Sequence, residues 1–290
     1  MLYLQMNFTD RPTIRIAILD LYDGFENQGM RGLREILNDF SKSANIHLHI
    51  REFNVRQKNE LPDTSWDIYV SSGGPGSPLE SEGQQWDTLY FRWLHSIEKW
   101  NNNPATISKK YVLFICHSFQ LACRYFRVAK ITKRKSTSFG VLPVHLLEDG
   151  KTEPVFENMA DPFYAVDSRD YQVIQPDQKK IKEAGSKILC IEKERKHVPF
   201  ERAVMGIRFN EYCIGTQFHP EADALGMKKH LQTGEKKKTV IENHGEAKWL
   251  SMMERLNDPD KIVWTHDHII PNFLKLASDQ LIVNSKPVAV

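Results

Sequence analysis

Apolar positions along this chain switch between two periods. Residues 14–19, Ile-Arg-Ile-Ala-Ile-Leu, are a short β-branched run that predicts a strand. Turn formers fill residues 20–29, and Leu33, Ile36, Leu37 and Phe40 then recur along one helical face. The reading is strand, loop, helix. Further strands are predicted over 46–53, with His47 and His49 on one face, and over 66–71. The run Gly73-Gly74-Pro75-Gly76 stops the latter. Residues 86–100 have helical spacing. Tyr111 to Ile115 is a continuous apolar pentad, as expected for a strand buried on both faces. Strands alternating with helices predict an α/β fold with a mostly parallel central sheet.

From Gly140 to Ile214 the pattern changes. Short strand candidates at 141–147, 188–192, 203–209 and 212–218 are separated by turns, which predicts a small antiparallel section. Beyond Glu221 the chain reads as helical, most clearly at 228–231, 245–256 and 272–276. The run Lys236-Lys237-Lys238 reads as a solvated face. The expected organisation is one domain over 1–225 with a helical C-terminal extension over 226–290 packed on it.

Composition narrows the function classes. With 290 residues, 41% of them hydrophobic, the chain can bury a large core and is not a disordered tail. No apolar run approaches the ~20 residues that span a bilayer, so no membrane is expected as a partner. A net charge of +2 is too balanced for a dedicated nucleic-acid binder. Four cysteines with no Cys-x-x-Cys pair exclude a disulfide scaffold. Residues 1–10 lack a basic start followed by an apolar stretch, so no leader is expected and a reducing cytoplasm is the expected compartment.

Three segments carry candidate chemistry. The buried pentad runs into Cys116-His117-Ser118-Phe119-Gln120, a polar turn entering a helix. A cysteine there sits at the carboxyl end of a parallel strand, near the positive end of a helix, which favours thiolate. The geometry is a nucleophile elbow. Ser71-Ser72-Gly73-Gly74-Pro75-Gly76 also follows a strand, and its glycines let backbone N–H groups face a ligand. One oxyanion-hole donor could come from it, with the N–H of His117 as the other. Gly215-Thr216-Gln217-Phe218-His219-Pro220-Glu221 ends a strand-like stretch in a histidine with a carboxylate two residues on, a base with an orienting acid. Taken singly, each has a plainer reading: a core cysteine, an ordinary turn, a structural histidine.

Together, and in this order, the three segments resemble the class I glutamine amidotransferase family of the triad type, of the kind found in the glutaminase part of GMP synthase. Cys116 and His219 lie 103 residues apart, compatible with that family, and Ile18-Leu19-Asp20-Leu21-Tyr22-Asp23 is similar to its first strand and loop. The resemblance implies a flavodoxin-like three-layer fold and a glutamine-hydrolysing activity. Cys116 would be the nucleophile that forms a thioester, His219 the base and acid, and Glu221 the group orienting His219. The amides of Gly74 and His117 would form the oxyanion hole. Gln120, Gly73, Ser168 and Arg169 would hold the substrate, glutamine or a γ-glutamyl compound. No cofactor and no metal are implied. The 69 residues after Glu221 are too few for a nucleotide-activating domain, so ammonia would pass to a separate synthetase chain.

Some positions depart from the family pattern. Phe114 and Ser118 stand where the elbow usually has glycines, and Ser138 stands where a glutamate precedes Gly140. Asp167-Ser168-Arg169-Asp170 occupies the region where a Ser-His pair is usual. Two expectations follow: bulk at Phe114 slows glutamine hydrolysis, and Arg169 grips a substrate carboxylate. Two alternatives stay open. One is a γ-glutamyl hydrolase or acyltransferase with the same triad, the other a non-catalytic binding or regulatory subunit. Thr265-His266-Asp267-His268 reads as a surface or helix-cap segment, and Cys123, Cys190 and Cys213 as buried.

Overall fold

The structure, a computed structural model, describes residues 11–25, 27–195, 199–232, 234–256, 258 and 261–285. Residues 1–10, read above as lacking a leader, and the Lys236 side chain lie outside the described part. The chain opens with β1 (Thr13–Asp20), α1 (Gln28–Ser43), β2 (His47–Asn54), α2 (Val55–Lys58), β3 (Ile68–Ser71), α3 (Gln85–Asn102), β4 (Tyr111–Ile115) and α4 (His117–Phe126). There follow β5 (Lys130–Leu146), α5 (Glu148–Lys151), a 3-10 turn (Pro154–Phe156), β6 (Phe163–Ile174), α6 (Gln178–Ala184), β7 (Lys187–Glu192), β8 (Val204–Arg208) and β9 (Cys213–Thr216). The last helices are α7 (Ala224–Gln232), α8 (Gly234–His244), α9 (Glu246–Leu256) and α10 (Ile262–Ser285).

The nine strands form one sheet in the order β2-β1-β3-β4-β9-β8-β7-β5-β6. Pairing is parallel from β2 to β9 and antiparallel from β9 to β6. Strand alternation divides the core in two. Leu113 and Ile115 pack with Met30, Leu33 and Leu37 of α1 and with Ile270 and Phe273 of α10. Val112 and Phe114 pack on the opposite face with Trp86, Tyr90 and Leu94 of α3. This is the expected three-layer α/β architecture. Asn27 begins α1 by accepting the Met30 N–H at 2.8 Å.

The antiparallel part is larger than the hydrophobic pattern suggested. β5 begins at Lys130, and β6, its long partner, was not predicted. Both carry polar residues at buried positions, among them Ser138, Asp167 and Arg169, which hide the period of a strand. Helix α10 runs 24 residues through Pro271, although only 272–276 stood out. Burial of Ile262, Ile269, Ile270, Phe273, Ala277 and Leu281 outweighs the hydrogen bond that Pro271 cannot make. Helices α7–α9 bury Met227, Leu231, Val240 and Met252 with Phe139 and Val141 of β5 in a third cluster. The exposed Lys237 and Lys238 lie on α8, as a solvated face. Among the described residues no helix is long and apolar enough to cross a membrane.

Candidate active site

The end of β4 is held from every side. Cys116 follows the strand at φ +50°, ψ −98°, a conformation costly for a residue with a side chain. Its N–H donates to Thr216 O at 2.8 Å, and its carbonyl accepts from the Gln120 N–H at 3.1 Å. The Ser118 hydroxyl accepts the Ile115 N–H at 2.8 Å and donates to Ser71 O at 2.7 Å. The serine that replaces an elbow glycine is therefore a brace, tying the turn to β3. This is the strained strand-to-helix turn of a nucleophile elbow.

The second half of the site comes from beyond β9. The His219 N–H donates to Val166 O at 2.9 Å, an isolated bridge that draws this segment onto β6. His219 Nδ1–H donates to Glu221 Oε1 at 2.8 Å. Helix α1 approaches so closely that a Cβ on Gly32 would collide with the Glu221 backbone carbonyl. Burial opposes the charged imidazole, but the charges of Cys116 and Glu221, and hydrogen bonds to both, raise the His219 pKa well above its ordinary value. The imidazolium is thus favoured, the form that can hold a thiolate and pass a proton to a leaving group.

Cys116, His219 and Glu221 line one cavity of about 940 Å³, together with Gly74, His117, Gln120, Ser168 and Arg169. His117 is the first residue of α4, so no carbonyl within the helix can accept its N–H. Its own imidazole is buried against Trp86; burial first, then the charges of Arg56 and Arg124, lower its pKa to about 3. It is a neutral packing group. A Cβ on Gly73 would lie 2.8 Å from His219 Cε1. Gly73→Ala is therefore expected to displace the imidazole and cut glutamine turnover by ~10²-fold. Steady-state ammonia release checks this, alongside a thermal melt expected to change by only a few degrees.

The residues that depart from the family pattern have structural partners. Phe114 is fully buried, edge-on to Phe209, on the sheet face opposite the cysteine, so it does not crowd the cavity as expected. The Ser138 hydroxyl donates to Asp167 Oδ2 at 2.7 Å. The Arg169 guanidinium, expected to grip a substrate carboxylate, is buried and committed to Asp167 at 2.9 Å and Glu192 at 3.4 Å. On β6 it points away from the reach of a ligand, as its neighbour Ser168 turns the other way. Ser168 instead places its carbonyl 3.8 Å from Cys116 Sγ. Gln120 Nε2 donates to Tyr171 O at 3.3 Å and to Gln217 Oε1 at 3.1 Å.

One functional residue was missed. Gln217 Nε2 lies 3.8 Å from Cys116 Sγ. It stands inside the Gly215–Glu221 segment that drew attention to His219, but side-chain direction in that segment is not readable from spacing. The other cysteines are buried, and burial raises their thiols, Cys213 to about 12 and Cys123 and Cys190 well above the ordinary value. His268 stacks on Trp264 at 4.4 Å and His266 pairs with Asp267. Among the described residues no group of three or more His, Cys, Asp or Glu could hold a metal ion.

Comparison with known proteins follows the same geometry. No curated protein matches the chain. A glutamine amidotransferase from Thermotoga maritima superposes with a TM-score of 0.63 at 17% identity, over 91% of this chain and 97% of its own. A GMP synthase component from Thermoplasma acidophilum gives 0.55 at 15% identity, over 94% and 98% of the two chains. The glutaminase domain of Trypanosoma brucei CTPS, with bound acivicin, gives 0.52 at 12% identity, over 72% and 86%. At such identities these structures speak for the fold alone. The sequence match is more specific: residues 17–235 fit the family glutamine amidotransferase class-I, and this stretch contains the elbow, the glycine loop and the His-Pro-Glu end. The chain belongs to the class-I glutamine amidotransferase family.

Proposed function

We propose that this protein is a cysteine-dependent glutaminase that releases ammonia from the glutamine side chain through a thioester on Cys116. The observation that carries the reading is His219, bound to Glu221 at 2.8 Å and coupled to the Cys116 sulfur in one cavity. His219 takes the Cys116 proton, and the sulfur attacks the γ-carboxamide carbon. The carbonyl oxygen becomes an oxyanion facing the Gly74 and His117 amides. The C–N bond then breaks as His219 returns the proton to the departing ammonia. Water, deprotonated by His219, attacks the thioester, and glutamate leaves with the thiol restored. Gln120 and the Gly73 and Ser168 backbone hold the substrate.

In this reading residues 1–225 are the catalytic unit, and residues 226–290 are an extension packed on it. The ammonia acceptor is a separate synthetase chain in a reducing cytoplasm. Phe25, at the cavity and 66% exposed, supports a partner at the mouth. A second reading, a larger γ-glutamyl substrate, is favoured by one observation. The cavity extends to an apolar wall of Phe139, Met227 and Val240, beyond what the glutamine side chain needs.

A chloroketone analogue of glutamine tests the proposal. It is expected to label Cys116 before Cys123, Cys190 or Cys213, and the untreated protein is expected to release ammonia from glutamine. Mass spectrometry showing another cysteine labelled first would overturn it.

A further inference from the structure

Cys116 Sγ has unlike polar neighbours. The Ser168 carbonyl, 3.8 Å away, can accept a hydrogen from the thiol but offers nothing to a thiolate. The Gln217 side-chain amide, also at 3.8 Å, does the reverse if its N–H₂ faces the sulfur. That orientation is dictated from a distance. Tyr171 O can only accept, so the Gln120 atom 3.3 Å from it must be the donor Nε2. The same Nε2 lies 3.1 Å from the end of Gln217, which must therefore turn its oxygen to Gln120. Gln217 is left with its N–H₂ toward Cys116. Arg169 Nη1 also donates to Tyr171 O, at 3.4 Å, so a charged donor anchors the far end of the chain. Gln217 is fully buried and Gln120 nearly so, which keeps water from competing for either amide.

We propose that the Gln217 side-chain amide is a further catalytic group, donating a hydrogen bond that holds the Cys116 sulfur in its anionic form. Gln120 is its positioning residue, set by the Tyr171 carbonyl. The proposal rests on the glutaminase reading above.

The other groups facing the sulfur complete the picture. His219 approaches from the end of β9, backed by Glu221. Tyr22, from the loop after β1, stays a neutral phenol: burial first, then the charges of Glu221 and Cys116, raise its pKa well above the ordinary value. His117 on α4 is neutral, and on β6 the Arg169 and Asp167 charges are spent on each other. His219 is thus the one cation free to pair with the sulfur among these groups. A neutral donor opposite it gives the thiolate a second hydrogen bond after the imidazole has turned to the leaving group.

Iodoacetamide reacts with the thiolate, so its rate against pH reads the ionisation of Cys116. Gln217→Glu keeps the acceptor for Gln120 and replaces the donor at sulfur; Gln217→Met removes the donor without adding charge. Both are expected to move the midpoint of Cys116 alkylation to higher pH. The rate at pH 7 should fall roughly tenfold or more while the high-pH rate is retained. Gln120→Met, which frees the amide to turn, should shift the midpoint in the same direction by less, and it carries the test should the Gln217 variants fail to fold. An unchanged midpoint in a folded variant, or a rate lowered equally at every pH, would overturn the proposal. Wild-type Cys116 that resists alkylation throughout would instead sink the glutaminase reading, before any variant is made.

Discussion

Cys116→Ser and His219→Asn are each expected to lower glutamine hydrolysis by roughly 10³-fold or more, and the double variant by little beyond either single one. The two side chains act as one unit. Sulfur without a base keeps its proton, and a base without sulfur has no nucleophile to activate. What survives is substrate binding and the oxyanion donors at Gly74 and His117. Glu221→Gln should cost less in rate but change the pH profile. Glu221 is one of the charges that raises His219, so its loss should move the limb that reports the imidazole to lower pH. Ammonia release measured against pH checks all four variants. A Cys116→Ser protein retaining a tenth of the wild-type rate would show that the chemistry lies elsewhere.

Asp167→Ala should destabilise the fold by about 3–5 kcal/mol, the cost of leaving a buried guanidinium without its carboxylate. Arg169 Nε reaches both Asp167 oxygens, at 2.9 and 3.1 Å, and the Ser138 hydroxyl reaches the same carboxylate. Behind them Glu192 accepts from Arg134 at 3.2 Å and pairs with Arg169 and Arg195. Replacing both partners, Asp167→Leu with Arg169→Met, should cost clearly less than Asp167→Ala, because no charge is stranded. Urea unfolding reads the difference, and a loss under about 1 kcal/mol for Asp167→Ala would refute the account. Acid should weaken the same network. Burial opposes the Glu192 charge, but Arg169, Arg134 and Arg195 hold its pKa below the ordinary carboxylate value. Its contribution is therefore present above the unfolded pKa and is lost as pH falls through the lowered one.

The order of elements up to β4 was legible because each buries an unambiguous pattern: β-branched in β1, one helical face in α1, five apolar residues in β4. Cys116, the glycine loop and His-Pro-Glu were legible for a related reason. In a parallel sheet with helical crossovers, segments that follow strands gather at one edge, so sequence order implies proximity. The chain by itself thus determined the α/β class, the family and the set of residues that could meet. Only the tertiary structure decided what those residues face. The β5–β6 ladder stayed hidden because its buried positions are polar, satisfied by partners 29 to 58 residues away. Phe114 was misread because the positive φ of Cys116 breaks strand alternation, putting a residue two positions earlier on the opposite face. Arg169 reads as a free cation until Asp167 and Glu192 close on it. The direction of the Gln217 amide is set by Tyr171 O, through Gln120. Side-chain direction and charge compensation depend on which strands pair and in what register, and local spacing carries no record of either.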